Sequence, residues 1–207
     1  MGEEVSIYDE CFQSKFCYGN PLGCIEGKNC DILATVTLVN SSKHVIIDLY
    51  KENLENDQYV AVGFSGDKSM GDDLVFMSSP SEKMLMKGWN QPRTGPPEDI
   101  TGITELDYSQ DNTAGFFHCQ FELEKILTFA KAGSGEQVTV DFSQPRHILL
   151  ATGQMQNKRI SYHGRNSRAV SEDSVIVTAF VKDEQFESTT EGSIWNLFVL
   201  ISPFNPK

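Results

Sequence analysis

The stretch YVAVGFSGDKSMGDDLVFM, Tyr59 to Met77, joins two β-rich runs through a polar, glycine-bounded turn. Tyr59–Phe64 and Leu74–Met77 are made of β-branched, aromatic and other apolar residues, while Gly66, Asp67, Ser69 and Gly71 between them are residues that turns favour. Runs of the same kind recur at Ala34–Val39, His44–Tyr50, Lys83–Lys87, Gly115–Phe121, Val138–Phe142, His147–Thr152, Arg159–His163 and Val175–Val181. About ten short strands separated by turns predict an all-β, immunoglobulin-like antiparallel sandwich. A chain of 207 residues is long enough for one well-buried domain and short for two, and it contains no internal repeat and no long Pro/Ser-rich linker. Glu122–Ala132 (ELEKILTFAKA) stands apart, because local propensity favours a helix ended by Gly133. Trp89–Pro97 (WNQPRTGPP) is too irregular for a sheet and either flanks a pocket mouth or is an ordinary surface connection. Asp107–Asn112 is polar and expected to be exposed.

Charge narrows the partners. A net charge of −12 argues against nucleic acid, whose phosphates require a basic patch. Four of the five cysteines, Cys11, Cys17, Cys24 and Cys30, fall in a Gly/Pro/Asn-containing segment, too loosely spaced for a zinc knuckle. They imply a disulfide-stapled segment over residues 1–30, packed on a domain over 31–207. Cys119, on an expected strand, is placed to pin that segment to the sandwich, and an odd count leaves one thiol unpaired. The sequon Asn40-Ser41-Ser42 agrees with an exported, oxidising setting. The opening MGEEVSIYDE has no apolar region of signal-peptide type. Gly2 and Ser6 fit a myristoylation pattern, but that cytosolic chemistry conflicts with the clustered cysteines. The apolar run Trp195–Ile201 falls far short of the ~20 residues of a spanning helix, so no direct membrane insertion is expected of this chain.

Met70 is the chemically informative residue. A thioether held in a polar turn is a soft, neutral donor suited to haem iron, where Met/His ligation raises the reduction potential. Of the four histidines, His44, His118 and His147 lie in strand-like runs, whereas His163 closes KRISYHGRNSR as that segment passes from strand to Gly/Asn/Ser loop. His147, in PRHILLATG, is the rival ligand. The acidic group Asp67, Asp72 and Asp73 lacks EF-hand spacing and is better explained as turn capping than as a calcium site.

From about Cys11 to Ala179 the chain resembles the DOMON domain, and most closely the DOMON module of ferric-chelate reductase-like proteins. The residues that carry the resemblance are KFCYGNPLGC followed by Cys30, then VAVGFSGDKSMGDD, then ILLATG ending in YHG. In cytochrome-type members a non-covalent b-type haem is held by the loop methionine and by a histidine after the glycine-ended strand, roles that fall here on Met70 and His163. At Glu122–Ala132 the resemblance implies, against the helical propensity, a strand continuing into a loop. A further cysteine usually follows the MGDD motif in such proteins, and this chain has Ser78 there, so the family's disulfide pairing does not carry over intact.

The resemblance therefore implies haem b, and no CxxCH attachment motif is present. Phe64, Phe76, Met86 and Ile160 are wall candidates by adjacency to the ligands, and equally ordinary core residues. Lys68, Arg159 and Arg165 are candidates to pair with haem propionates. With both axial positions filled by protein, outer-sphere electron transfer is the implied chemistry. The expected protein is a secreted domain, or the extracellular face of a membrane protein, that passes single electrons. Its partners would be a redox protein, a ferric chelate or a membrane cytochrome. The alternative is a haem-free extracellular module for protein or carbohydrate binding or adhesion. No GxSxG, HExxH or comparable set supports a self-sufficient hydrolase or oxygenase.

Overall fold

Phe116–Glu124 shows the rule that builds the fold: Phe117, Cys119, Phe121 and Leu123 are fully buried, and the residues between them are not. A strand presents alternate side chains to opposite faces, so one face packs inward and the other meets water. The structure is a computed structural model that describes residues 6–39, 43–91, 95–113, 115–157, 159–179 and 181–182. The sequon at Asn40 and the apolar run Trp195–Ile201 lie outside the described residues.

The first strands are β1 (Phe16–Asn20), β2 (Ile32–Val39), β3 (His44–Glu52), β4 (Gln58–Ser65), β5 (Asp73–Ser79), β6 (Glu82–Asn90), β7 (Glu98–Thr101) and β8 (Asp107–Thr113). They are followed by β9 (Phe116–Glu124), β10 (Ile126–Lys131), β11 (Gln137–Asp141), β12 (His147–Gln156), β13 (Arg159–Ile160), β14 (Arg168–Val170) and β15 (Val181–Lys182). One sheet runs β1-β2-β3-β9-β8, with β15 alongside β2. The other runs β11-β10-β7-β6-β5-β4-β12-β13, with β14 also paired to β12. Apart from the parallel β15, the pairings are antiparallel, as a sandwich assembled from hairpins requires.

Between the sheets Val45, Ile47, Leu49, Phe117, Phe121 and Leu123 meet Val60, Val62, Phe64, Leu74, Phe76, Ile148 and Leu150. Each such side chain contributes roughly 1.5–3 kcal/mol when fully buried. The Glu122–Ala132 segment is strand: β9 runs to Glu124 and β10 begins at Ile126, with Leu127 and Phe129 buried at period two. Burial of that alternating pair overrides the helical propensity of the Glu, Lys and Leu residues. Asp107–Asn112 is exposed as expected, but as the outermost strand of its sheet, where polar side chains discourage further pairing. Only part of the expected strand at Val175–Val181 forms, since Val177–Ala179 coils into a 3-10 turn before β15.

The N-terminal staples are local, Cys11–Cys17 and Cys24–Cys30. Cys119 does not pin this segment; it is a free thiol deep in the core, and burial pushes it up to about 12. The segment is attached instead by the pairing of β1 with β2 and by the Tyr8 hydroxyl, which accepts the Cys30 N–H at 2.9 Å. Ser78, from the opposite sheet, lies beside the Cys119 thiol and 2.8 Å from the Tyr108 hydroxyl. An oxidised Ser78→Cys variant is expected to join the two sheets through Cys119 and gain about 2–4 kcal/mol, roughly 4–16 °C in Tm. Calorimetry with a thiol count checks this; an unchanged Tm with two free thiols would place the two side chains too far apart.

On the outer face of the β2-β3-β9 sheet, Asp48 is 9% exposed and accepts three hydrogen bonds, from Thr35 (3.0 Å), His118 (2.9 Å) and Gln120 (2.8 Å). Burial alone would raise its pKa, but these donors and the His118 charge outweigh it and hold the carboxyl below the usual aspartate value. A folded-state pKa below the unfolded one gives stability that is present above the unfolded value near ~3.9 and lost as pH falls through the folded value. Asp48→Asn is thus expected to cost about 1–3 kcal/mol at neutral pH and to flatten the fall of Tm below about pH 4. Parallel acid limbs for the two proteins in a thermal series from pH 2 to 7 would contradict this.

Candidate functional site

The strands at the middle of the larger sheet are buried on both faces, β4 from Tyr59 to Ser65 and β5 from Asp73 to Ser79. Their inward residues belong to the core already described. Their outward residues, Tyr59, Ala61, Val75 and Met77, join Ala151 of β12 in a second apolar cluster on the far side of the sheet. That cluster floors a cavity of about 660 Å³, within the usual range of small-molecule sites. Gly63 extends the floor, and a Cβ there would meet Val75 at 3.1 Å and Leu149 at 3.3 Å.

Three segments rise around this floor: Met70 from the β4–β5 turn, Gly95–Pro97 after β6, and Ile160–His163 with Arg168 after β12. The two sequence-predicted ligands therefore border one cavity. The expectation that Trp89–Pro97 stays out of a sheet fails at its start, because Trp89 and Asn90 end β6, paired with Leu74 and Asp73, while Gly95, Pro96 and Pro97 line the cavity.

The turn that carries Met70 is held by its own acids. Asp67 accepts the Ser69 N–H at 2.6 Å and Asp73 accepts the Gly71 N–H at 2.8 Å, while the Asp72 N–H donates to the Asn90 carbonyl at 2.7 Å. Gly71 and Asp72 adopt φ values of 138° and 60°, which glycine and aspartate tolerate better than most residues. The acids thus serve as turn caps, and among the described residues no three His, Cys, Asp or Glu side chains gather as a metal site. Asp73 is fully buried with Oδ1 unpartnered; burial and the charges of Asp67 and Asp72 push its pKa up. Met70 itself remains 40% exposed at the rim.

His163 is placed by the early end of β13. Arg159–Ile160 is the whole strand, and the chain then leaves the sheet before the 3-10 turn Arg165–Ser167. Two bonds fix this segment over the floor: the Tyr59 hydroxyl donates to the Ser161 carbonyl at 3.2 Å, and the Ser161 N–H donates to the Gln154 carbonyl at 2.8 Å. His163 is buried, and its Nδ1 has no hydrogen-bond partner among the described residues. Burial holds its pKa below the ordinary histidine value, and the nearby Arg168 charge pulls the same way, so the imidazole is neutral at pH 7. Tyr162 stacks on it from the solvent side, with ring centroids 5.1 Å apart.

The other histidines are engaged elsewhere. His147 Nδ1–H donates to the Ser171 carbonyl (3.1 Å), His118 bonds Asp48, and His44 bonds Glu122 (2.9 Å). None of the three lines the cavity.

The proposed wall and charge residues divide by strand parity. Ile160 lines the cavity, and Met86 packs against the apolar cluster beneath it. Phe64 and Phe76 do not reach it; they occupy inward positions of β4 and β5 and are 1% and 0% exposed between the sheets. Arg159 pairs with Gln156, one step out of phase with Ile160 opposite Met155, so it faces away and borders a separate polar hollow. Lys68 is exposed in the Met70 turn and does not line the cavity, and the side chain of Arg165 lies outside the described residues.

No family model matches the chain. It is 44% identical over 163 residues to a Drosophila melanogaster protein named as a ferric-chelate reductase 1 homolog, a match covering 76% of this chain and 24% of that protein. The chain thus spans about a quarter of that relative's length. It is also 31% identical over 172 residues to an uncharacterised Caenorhabditis elegans protein, covering 75% of this chain and 70% of the other. Among solved structures it is similar to the cytochrome domain of Myriococcum thermophilum cellobiose dehydrogenase, with a TM-score of 0.53 and 12% identity over 82% of this chain and 85% of that one. This chain belongs to the DOMON family.

The DOMON sandwich accordingly carries its cavity on an outer sheet face, a position that sequence reasoning did not assign. The signal was present: Tyr59–Ser65 and Asp73–Ser79 do not alternate in polarity, and a strand apolar on both sides must be covered on both sides. Arg168 was missed because it lies five residues beyond His163, in a three-residue strand without an apolar pattern.

Proposed function

We propose that this DOMON domain holds a non-covalent haem b between Met70 and His163 and passes single electrons on the extracellular side of the cell. The observation that carries the reading is the buried, neutral His163 with an unpartnered ring nitrogen, bordering the same apolar-floored cavity as Met70. A buried polar nitrogen without a partner is costly unless something else meets it. The residues present fit the group. An imidazole kept neutral and a soft thioether suit iron, and the apolar floor excludes water from the macrocycle face. The bound haem would supply one-electron chemistry; Met70 and His163 would set its potential, and together they would leave no coordination site for oxygen or substrate.

The two disulfides and the relative named as a ferric-chelate reductase homolog support an oxidising location and a redox role. Its partners are a redox protein, a membrane cytochrome or a ferric chelate. No helix among the described residues is long and apolar enough to cross a membrane.

The test is an absorption spectrum of the purified, haem-reconstituted protein before and after dithionite. Sharp reduced α and β bands with a shifted Soret peak are expected of a low-spin, six-coordinate haem. A spectrum of free haem alone would remove the electron-transfer reading and leave a haem-free extracellular module for protein or carbohydrate binding.

A further inference from the structure

Arg168 is the one charged side chain among the described residues that line the cavity. Its direction follows from register. In β14, Arg168 pairs with Ala151, Ala169 with Leu150 and Val170 with Leu149. Directly opposed residues of an antiparallel pair share a face. Ala151 belongs to the cavity floor and Ala169 packs on the interior core, so Arg168 projects over the floor. Arg168 and His163 both line this cavity.

No carboxylate of the described residues forms an ion pair with it; the six pairs found involve Lys28, His44, Lys51, Lys87, His118 and Lys131. Among the described basic side chains outside those pairs, Arg168 is the one that lines the apolar cavity. Its planar fork of donors matches a carboxylate in two-point fashion, and an adjacent low-polarity surface strengthens such a contact.

We infer that Arg168 is the carboxylate-binding residue of this cavity, and that the carboxylate it takes is a propionate of the bound haem. This rests on the haem reading above. The same chemistry has a second source, the carboxylates of an anionic ferric chelate docking at the cavity mouth, and the experiment separates the two.

The wild-type 207-residue protein, Arg168→Ala and Arg168→Lys are titrated with haem and with haem dimethyl ester, whose propionates carry no charge, and binding is followed in the Soret band. Arg168→Ala is expected to weaken haem about tenfold to a hundredfold and leave the ester unchanged, with Arg168→Lys recovering part of the loss. In the second arm, the dithionite-reduced proteins are mixed with ferric citrate and with a neutral ferric chelate. Unchanged haem affinity in Arg168→Ala, with slowed reduction of the citrate complex alone, assigns the carboxylate to the acceptor and overturns the propionate assignment. Unchanged behaviour in both arms overturns the inference while the haem reading stands. Wild-type protein that binds neither haem nor its ester removes the haem reading, and this inference with it. Arg168 is exposed in a short strand, so its replacement leaves the core intact, and circular dichroism serves as the folding control.

Discussion

His163→Ala is expected to abolish the low-spin haem spectrum and weaken haem binding by at least about a hundredfold, since even an outer partner of a metal ligand is worth 10–100-fold. The side chain is 9% exposed and makes no hydrogen bond through Nδ1, so its removal breaks little that holds the sandwich together. The fold should persist, with Tm within a few degrees of wild type. The vacated space lies beside the apolar floor, and added imidazole is expected to enter it and restore part of the low-spin spectrum. Met70→Ala should act differently. Met70 is 40% exposed on a turn whose bonds run through Asp67, Asp72 and Asp73 rather than through its own side chain. Its loss should leave a histidine-bound, partly high-spin haem whose midpoint potential is lower by about 0.1 V or more, a fraction of the ~0.8 V that axial ligation commands. Optical titration and potentiometry of the two variants check both results. An unchanged spectrum in either variant would mean that its residue is not a ligand.

What was legible in the sequence divides along a physical line. Local chemistry was legible: the glycine-bounded turn that presents Met70, the alternation of Phe117, Cys119, Phe121 and Leu123, and the strand-to-loop change that frees His163. Facing was not. Adjacency in sequence suggested Phe64 and Phe76 as cavity walls, but side chains one step apart on a strand point to opposite sides of the sheet. The outward neighbours Gly63 and Val75 line the cavity instead. The same parity turns Arg159 away from the cavity and Arg168 over it, and it depends on pairings with Gln156 and Ala151 that are visible only once the strands are aligned. Cys119 likewise does not pin the N-terminal segment as its place on a strand suggested; the other four cysteines close on themselves within that segment, and Cys119 is the unpaired thiol that the odd count requires.

Phe76→Ala tests that parity directly and carries the largest expected stability loss. The ring is fully buried, 5.1 Å from Phe121 of the opposite sheet and 6.4 Å from Phe64 beside it, so it bridges the two layers. Truncation removes the buried ring and leaves a cavity in a core that cannot close from both sheets, a cost of about 3–5 kcal/mol. At about 2–4 °C per kcal/mol for a domain of this size, Tm should fall by roughly 6–20 °C, while the haem spectrum of the folded protein stays unchanged. Ala61→Phe is its counterpart. Ala61 lies on the same sheet but on the outward face, at the cavity floor. Added bulk there should occlude haem with little change in Tm, since it grows into open space rather than packed core. Differential scanning calorimetry paired with a haem titration resolves the two. If Phe76→Ala shifted the spectrum and left Tm in place, the assignment of faces would be reversed and the cavity would belong between the sheets. The opposite pattern would mean that two residues fifteen apart in sequence on adjoining strands divide the two tasks, stability inward and ligand binding outward, by the direction of their side chains alone.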